Sequence, residues 1–113
     1  MSQPPPMEIT PAEVKRRLAS GERVFLIDVR QPEEHAIASI PGAELVPMNT
    51  VPASIQALES KADEGGLIVF CHHGMRSLNI VAWLRGQGLE SCQSMAGGID
   101  LWSLEVDPSV PRY

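Results

Sequence analysis

The sequence predicts an α/β domain built on a mainly parallel sheet with helices on both faces. Three observations predict it. Short apolar runs rich in β-branched residues, 24–29 and 67–70, alternate with stretches whose apolar residues recur at helical spacing. The runs are near-continuously hydrophobic, as in strands buried on both faces of a parallel sheet. Helix-length segments separate them, which calls for crossover connections rather than hairpins.

The chain has 113 residues, enough for one ordinary domain. Its hydrophobic fraction, 43%, is that of a soluble globular protein. Formal net charge is -5 with no basic run, which argues against nucleic acid as the main partner. No apolar run approaches the roughly 18 residues of a membrane span, so no membrane partner is expected. Residues 1–7 hold three consecutive prolines and no apolar core. They read as a disordered tail rather than a signal peptide, leaving residues 8–113 as the domain. With no export signal and only two cysteines, Cys71 and Cys92, the expected compartment is a reducing cytoplasm. Cys92 reads as a small buried hydrophobe; the alternative is a resolving thiol for Cys71.

Taken in order, Thr10-Pro11-Ala12-Glu13 is a capping box with proline at the first helical position. Val14 and Leu18 make the apolar stripe of that helix, and Ser20-Gly21 ends it. Residues 24–29 form a core strand. Asp28 and Arg30 stand at its carboxyl end, where open α/β sheets place their ligands. Each has two readings: an ion-pair network with Glu33 or Glu34 that fixes the following loop, or a wall of the Cys71 pocket. Pro32 opens a short helix carrying His35, read as a surface or half-buried histidine. Ile40-Pro41-Gly42-Ala43 is a turn into a short strand at 44–46. Asn49 or Thr50 can cap a helix with Ile55, Leu58 and Ala62 inward, ended by Asp63-Glu64-Gly65-Gly66.

Next comes the segment that carries chemistry. The strand at 67–70 ends in Cys71, followed by His72-His73-Gly74-Met75-Arg76-Ser77, and then a helix from Ser77 to about Arg85. A tight loop feeding a helix N-terminus can turn its backbone amides inward as an anion nest. Arg76 adds a full positive charge, and Gly74 tolerates the positive φ such a loop needs. A cysteine in that field is expected to be thiolate-rich and nucleophilic. A strand at 91–94, a short helix after Gly97-Gly98 and an extended proline-containing tail complete the chain.

Cys71-His72-His73-Gly74-Met75-Arg76-Ser77 resembles the Cys-x-x-Gly-x-Arg-Ser active-site loop of the rhodanese (sulfurtransferase) family. Asp28-Val29-Arg30-Gln31-Pro32-Glu33-Glu34 and Ile40-Pro41-Gly42-Ala43 resemble its two N-terminal signatures, and Met95-Ala96-Gly97-Gly98-Ile99-Asp100-Leu101-Trp102 its closing motif. The resemblance runs from about Ile9 to the C-terminus. It implies a three-layer α/β/α sandwich with about five strands, and links Asp28 to the active-site architecture. The chain departs from the family at His35, often aromatic, at Ala38-Ser39, often Gly-His, and at His72, often arginine. It also resembles the rhodanese domain fused to ubiquitin-activating-like enzymes of molybdopterin and thiamine sulfur transfer.

Three chemistries use a cysteine in such a loop: sulfur transfer, phosphate-ester hydrolysis and arsenate reduction. Phosphatase-like loops place five residues between cysteine and arginine, whereas four separate Cys71 from Arg76. The shorter form resembles the sulfurtransferase loop. The expectation is therefore a sulfurtransferase that moves a sulfane sulfur from thiosulfate or a persulfide to a nucleophilic acceptor through Cys71. His72, His73, Gly74, Met75, Arg76 and Ser77 bind the substrate, Arg76 acts as electrostatic clamp, and Asp28 and Arg30 support the site. With His72 after the cysteine, Arg76 is the only permanent cation of the loop, which favours a persulfide over the thiosulfate dianion. No metal or organic cofactor is implied, because consecutive Cys71, His72 and His73 do not suit tetrahedral ligation. The partners are a small sulfane-sulfur donor, a thiophilic acceptor and a sulfur-relay protein acting in trans. The alternatives are a persulfide carrier with little turnover, a non-catalytic binding module on the same fold, or an arsenate reductase or phosphatase.

Overall fold

The computed structural model describes residues 3–113. Part of the expected disordered tail, residues 1 and 2, lies outside them. Five strands form one all-parallel sheet in the order β1-β5-β4-β2-β3. These are β1 (Glu8–Ile9), β2 (Val24–Asp28), β3 (Glu44–Leu45), β4 (Gly66–Phe70) and β5 (Gln93–Met95). The helices between and after them are α1 (Pro11–Ala19), α2 (Pro32–Ile37), α3 (Ile55–Glu64), α4 (Met75–Gly86) and α5 (Gly98–Glu105). No described helix is long and apolar enough to cross a membrane.

Strand alternation explains the three layers. Along β4, Leu67 and Val69 point to one face, and Cys71 follows in the same sense. There they pack with Leu58 of α3 and Ile80, Val81 and Leu84 of α4. Ile68 and Phe70 point to the other face and meet Val14 of α1 and Ile99 and Trp102 of α5. Both cores are apolar, so β4 is buried on each side. This is why its sequence reads as one hydrophobic run rather than an alternation.

Of the capping box expected at α1 one half forms, the Glu13 carboxylate being taken by Arg16. The Thr10 hydroxyl accepts from the Glu13 amide at 3.2 Å, and Pro11 opens α1. Gln31 and Glu34 form a reciprocal capping box at α2. Several bounds differ: β1 is not among the expected strands, β5 runs Gln93–Met95 rather than 91–94, and α4 starts at Met75 rather than Ser77. The largest difference lies before α3. The helix expected from Asn49 or Thr50 is preceded by two 3-10 turns, Met48–Thr50 and Pro52–Ser54, and regular α-helix starts only at Ile55. Pro47 and Pro52 withhold amide hydrogens, so the segment tightens into short i to i+3 turns before the α ladder begins. At the other end of the chain, Pro6 and Met7 are tied to the sheet. The Met7 carbonyl accepts from the Ser94 amide at 2.8 Å, and the Pro6 carbonyl accepts from the Gln93 side chain at 2.9 Å.

Candidate active site

β4 lies at the centre of the sheet between β5 and β2, and Cys71 stands at its carboxyl end. The loop turns at Gly74, whose φ of +102° only glycine adopts freely. That turn aims two amides back at the sulfur. Cys71 Sγ accepts from the Gly74 N–H at 3.1 Å and from the Ser77 N–H at 3.4 Å. The thiol is 1% exposed and donates to the Ser77 hydroxyl at 3.5 Å. Gly74 and Ser77 are the N-cap and third residue of α4, so the positive end of that helix faces the sulfur.

Ser77 continues the network inward. Its hydroxyl donates to the Gly74 carbonyl at 3.2 Å and lies 2.7 Å from the Ser94 hydroxyl. A hydroxyl has one hydrogen. With the Ser77 hydrogen on Gly74, Ser94 is the donor of that pair. Ser77 and Ser94 are both fully buried. Ser94, in β5, was not singled out from sequence: it sits in a run of polar and small residues with no motif of its own.

The loop is held from above by α5. The Ile99 amide donates to the Cys71 carbonyl at 2.9 Å, and the Asp100 amide donates to the His72 carbonyl at 3.1 Å. A Cβ on Gly98, at φ +61°, would collide with both of those carbonyls. The Gly97-Gly98 pair is thus a close-approach site for the loop as well as the start of α5.

Arg76 lies at the rim, where its guanidinium forks the Glu34 carboxylate at 2.8 and 2.9 Å. The pair shifts both groups: Arg76 is raised, and Glu34 is lowered to about 2, in each case mainly by this hydrogen bond. Tyr113 adds a third member, donating its hydroxyl to Glu34 at 2.7 Å. The Tyr113 ring stacks on His72 at 3.9 Å, and His72 stacks in turn on His73 at 3.9 Å. Burial, followed by the charge of His73, pushes the His72 pKa down. Met75 is the open part of the loop, 69% exposed.

Asp28 and Arg30 are both completely buried. Arg30 uses all five of its N–H donors: two on Asp28 at 2.9 and 2.7 Å, and the others on the Ala38 carbonyl, the Glu34 carbonyl and the Tyr113 hydroxyl. Asp28 also accepts from the Arg30 amide and faces His35 Nδ1 at 2.9 Å. Neither side chain hydrogen-bonds the Cys71 loop among the described residues. They reach it through Tyr113 and through Glu34 of the same turn. Ion-pair partners were expected at Glu33 or Glu34; the Arg30 guanidinium instead takes Asp28 and the Glu34 backbone, leaving the Glu34 carboxylate for Arg76.

His72, His73 and Asp100 bring three ligand-type atoms within 4.8 Å of one another. Asp100 is already forked by Arg112 at 2.9 and 3.3 Å, and the imidazoles are stacked rather than converging on a point. This donor set does not suit a resident metal. Cys92 is fully buried in the core under α4, with its thiol pKa pushed up by that burial, and both cysteines are free.

Comparison with known proteins agrees with this arrangement. The model of the rhodanese-like domain matches residues 10–105. The putative sulfurtransferase YtwF of Bacillus subtilis is 33% identical over 101 residues, covering 89% of this chain and 94% of its own. The adenylyltransferase and sulfurtransferase MOCS3-1 of Zea mays is 34% identical over 114 residues, covering 97% of this chain and 24% of its own. The chain spans about a quarter to a third of the length of the first curated relatives it matches. The human single-domain sulfurtransferase TSTD1 superposes with a TM-score of 0.74 at 32% identity, over 89% of this chain and 98% of that one. Five parallel strands, a cysteine cradled at the end of the central one, and a family match from the start of α1 to the end of α5 lead to one assignment: the chain belongs to the rhodanese-like family.

Proposed function

We propose that the protein is a sulfurtransferase that carries sulfane sulfur as a persulfide on Cys71. The observation that carries this reading is the pair of loop amides and the Ser77 hydroxyl gathered on one sulfur atom. Such a cradle suits a small anionic sulfur, as electrostatic preorganisation requires. The Cys71 thiolate attacks the sulfane sulfur of the donor and forms a new S–S bond. The donor's bond to that sulfur breaks, and the leaving group, sulfite from thiosulfate or a thiolate from a persulfide, departs with the electron pair. The acceptor then attacks the outer sulfur, and Cys71 recovers its thiolate. With cyanide the product is thiocyanate, and no net oxidation occurs at the protein.

Cys71 is the nucleophile, Gly74 and Ser77 form the cradle, His72, His73, Met75 and Arg76 frame the mouth that meets the donor, and the Asp28–Arg30 network supports the turn beside it. A cytoplasmic setting fits two unpaired cysteines. The likeness to the MOCS3-type relative supports delivery of sulfur to a partner protein in trans.

The test is the intact mass of the reduced protein after exposure to thiosulfate or a thiol persulfide. A gain of about 32 Da, reversed by cyanide and absent in Cys71→Ser, is expected. Absence of the gain with every sulfane-sulfur donor would sink the reading. Turnover with cyanide separates an enzyme from a carrier.

A further inference from the structure

Three arginines stand around the Cys71 loop, and each is forked by a carboxylate. Arg76 takes Glu34, Arg30 takes Asp28, and Arg112 takes Asp100. The mouth therefore carries permanent charges but no uncompensated permanent cation among these pairs. The remaining groups over it are the stacked rings of Tyr113, His72 and His73. Burial shifts His72 toward its neutral form.

This arrangement bears on the donor. Thiosulfate is a dianion, and as its S–S bond breaks both charges collect on the leaving sulfite. Moving such a group into a loop mouth calls for a free cation or several free donors. The nearest candidate is Arg76, five residues beyond the nucleophile in the chain, and its Nη1 and Nη2 are both engaged by the Glu34 carboxylate, which neutralises its charge. A persulfide carried on a thiol, R–S–SH, needs none of this. Its leaving group is a thiolate with one charge.

We propose that Glu34 determines donor specificity. By neutralising Arg76 it turns the site from thiosulfate toward sulfane sulfur presented on a thiol. This rests on the sulfur-transfer reading above. In the favoured reaction the Cys71 thiolate bonds to the outer sulfur of R–S–SH, the R–S bond to that sulfur breaks, and RS⁻ leaves. The outer sulfur keeps its proton, so charge and electrons balance. Glu34 acts through Arg76, so it is a positioning residue. Its backbone carbonyl and capping contact with the Gln31 amide at 3.2 Å survive in a glutamine variant of the same length.

The experiment measures kcat/KM for thiosulfate and for glutathione persulfide, each normalised to that donor's reaction with free cysteine. The proteins are wild type, Glu34→Gln and the double variant Glu34→Gln/Arg76→Gln. Wild type should favour the persulfide. Glu34→Gln should raise thiosulfate kcat/KM about tenfold relative to the persulfide, the low end of what a freed cation does for a charged ligand. That gain should shrink in high salt and vanish in the double variant. Three outcomes overturn the proposal: a wild type that favours thiosulfate, a donor ratio unmoved in a folded Glu34→Gln protein, or a gain that survives loss of Arg76. The wild-type ratio stands even if a variant fails to fold. If no donor loads wild-type Cys71, the sulfur-transfer reading fails first and this proposal falls with it. Persulfide loading with an unmoved ratio sinks the proposal alone.

Discussion

The carboxyl ends of β2 and β4 are neighbours in one parallel sheet, yet they are finished in opposite ways. At the end of β2, Asp28 and Arg30 satisfy each other and everything around them: every guanidinium N–H has an acceptor, and the pair is closed to solvent. At the end of β4, the only side chain is a thiol, and the backbone amides beyond it point at the sulfur. One end is closed on itself; the other gathers its donors on a single sulfur atom. The saturated end makes a rigid wall from which Glu34 and Tyr113 are hung. The receptive end can then hold an added atom without first recruiting partners. Topology offers both positions to a ligand. Hydrogen-bond accounting decides which one takes it.

The comparison is broken most directly at β2. Arg30→Met keeps bulk but leaves the Asp28 carboxylate buried against only His35 and one amide. Loss of one member of a buried pair costs about 3–5 kcal/mol. Urea unfolding should show a loss of unfolding free energy of that size, whereas Cys71→Ser should stay within about 1 kcal/mol of wild type while losing transfer. If the two variants are equally destabilised, the division between the strand ends does not hold.

Ser94→Ala probes the receptive end more gently. It removes the donor that anchors the Ser77 hydroxyl from beneath, so the oxygen that accepts from the Cys71 thiol is held less firmly beside the sulfur. Persulfide loading should slow about tenfold, corresponding to roughly 1.4 kcal/mol in the transition state. The stability cost should be about 1 kcal/mol, that of one buried hydrogen bond. Stopped-flow loading and urea titration of the same variant read the two quantities separately.

The smallest expected effect is on acid stability. Ion pairing with Arg76 lowers Glu34 from its ordinary value of 4.5 to about 2 in the folded protein. The stabilisation it provides is therefore complete above the unfolded value and is lost as pH falls through the folded one. The stability curves of wild type and Glu34→Gln should be separated at neutral pH and converge as pH falls from 4.5 toward about 2. Parallel curves across that window would show that the pair contributes nothing to folding.

Much of this site was legible because its parts are local. A strand, a cysteine, a glycine turn and a helix start occupy consecutive residues, and hydrophobic periodicity marks both flanking elements. The fold was legible for the same reason, through strand runs separated by crossover-length helices. What sequence could not carry is partnership at a distance. Arg76 reads as a free cation because Glu34 lies 42 residues away. Ser94 reads as an ordinary polar residue because its one hydroxyl partner is 17 residues upstream. The fork between Arg30 and Asp28 was within reach at a separation of two, but nothing in the sequence says that Arg30 spends its remaining donors on backbone carbonyls and Tyr113. The 3-10 turns before α3 depend on how two proline rings divide one short connection, which periodicity does not resolve.

The clamp of α5 on the Cys71 and His72 carbonyls has a consequence for modularity. The seven residues from Cys71 to Ser77 look like a portable cassette, a stretch that could be moved to another strand–helix junction with its chemistry intact. They are not one. Two of the loop's carbonyls are held by a helix more than twenty positions downstream, at a glycine too crowded for any side chain. A transplanted loop would arrive without its splint, and its amides would have to find their aim at the sulfur in every catalytic cycle. The smallest unit that carries the loop together with its splint is therefore β4 through α5, two strands of the sheet with the helix that closes the loop.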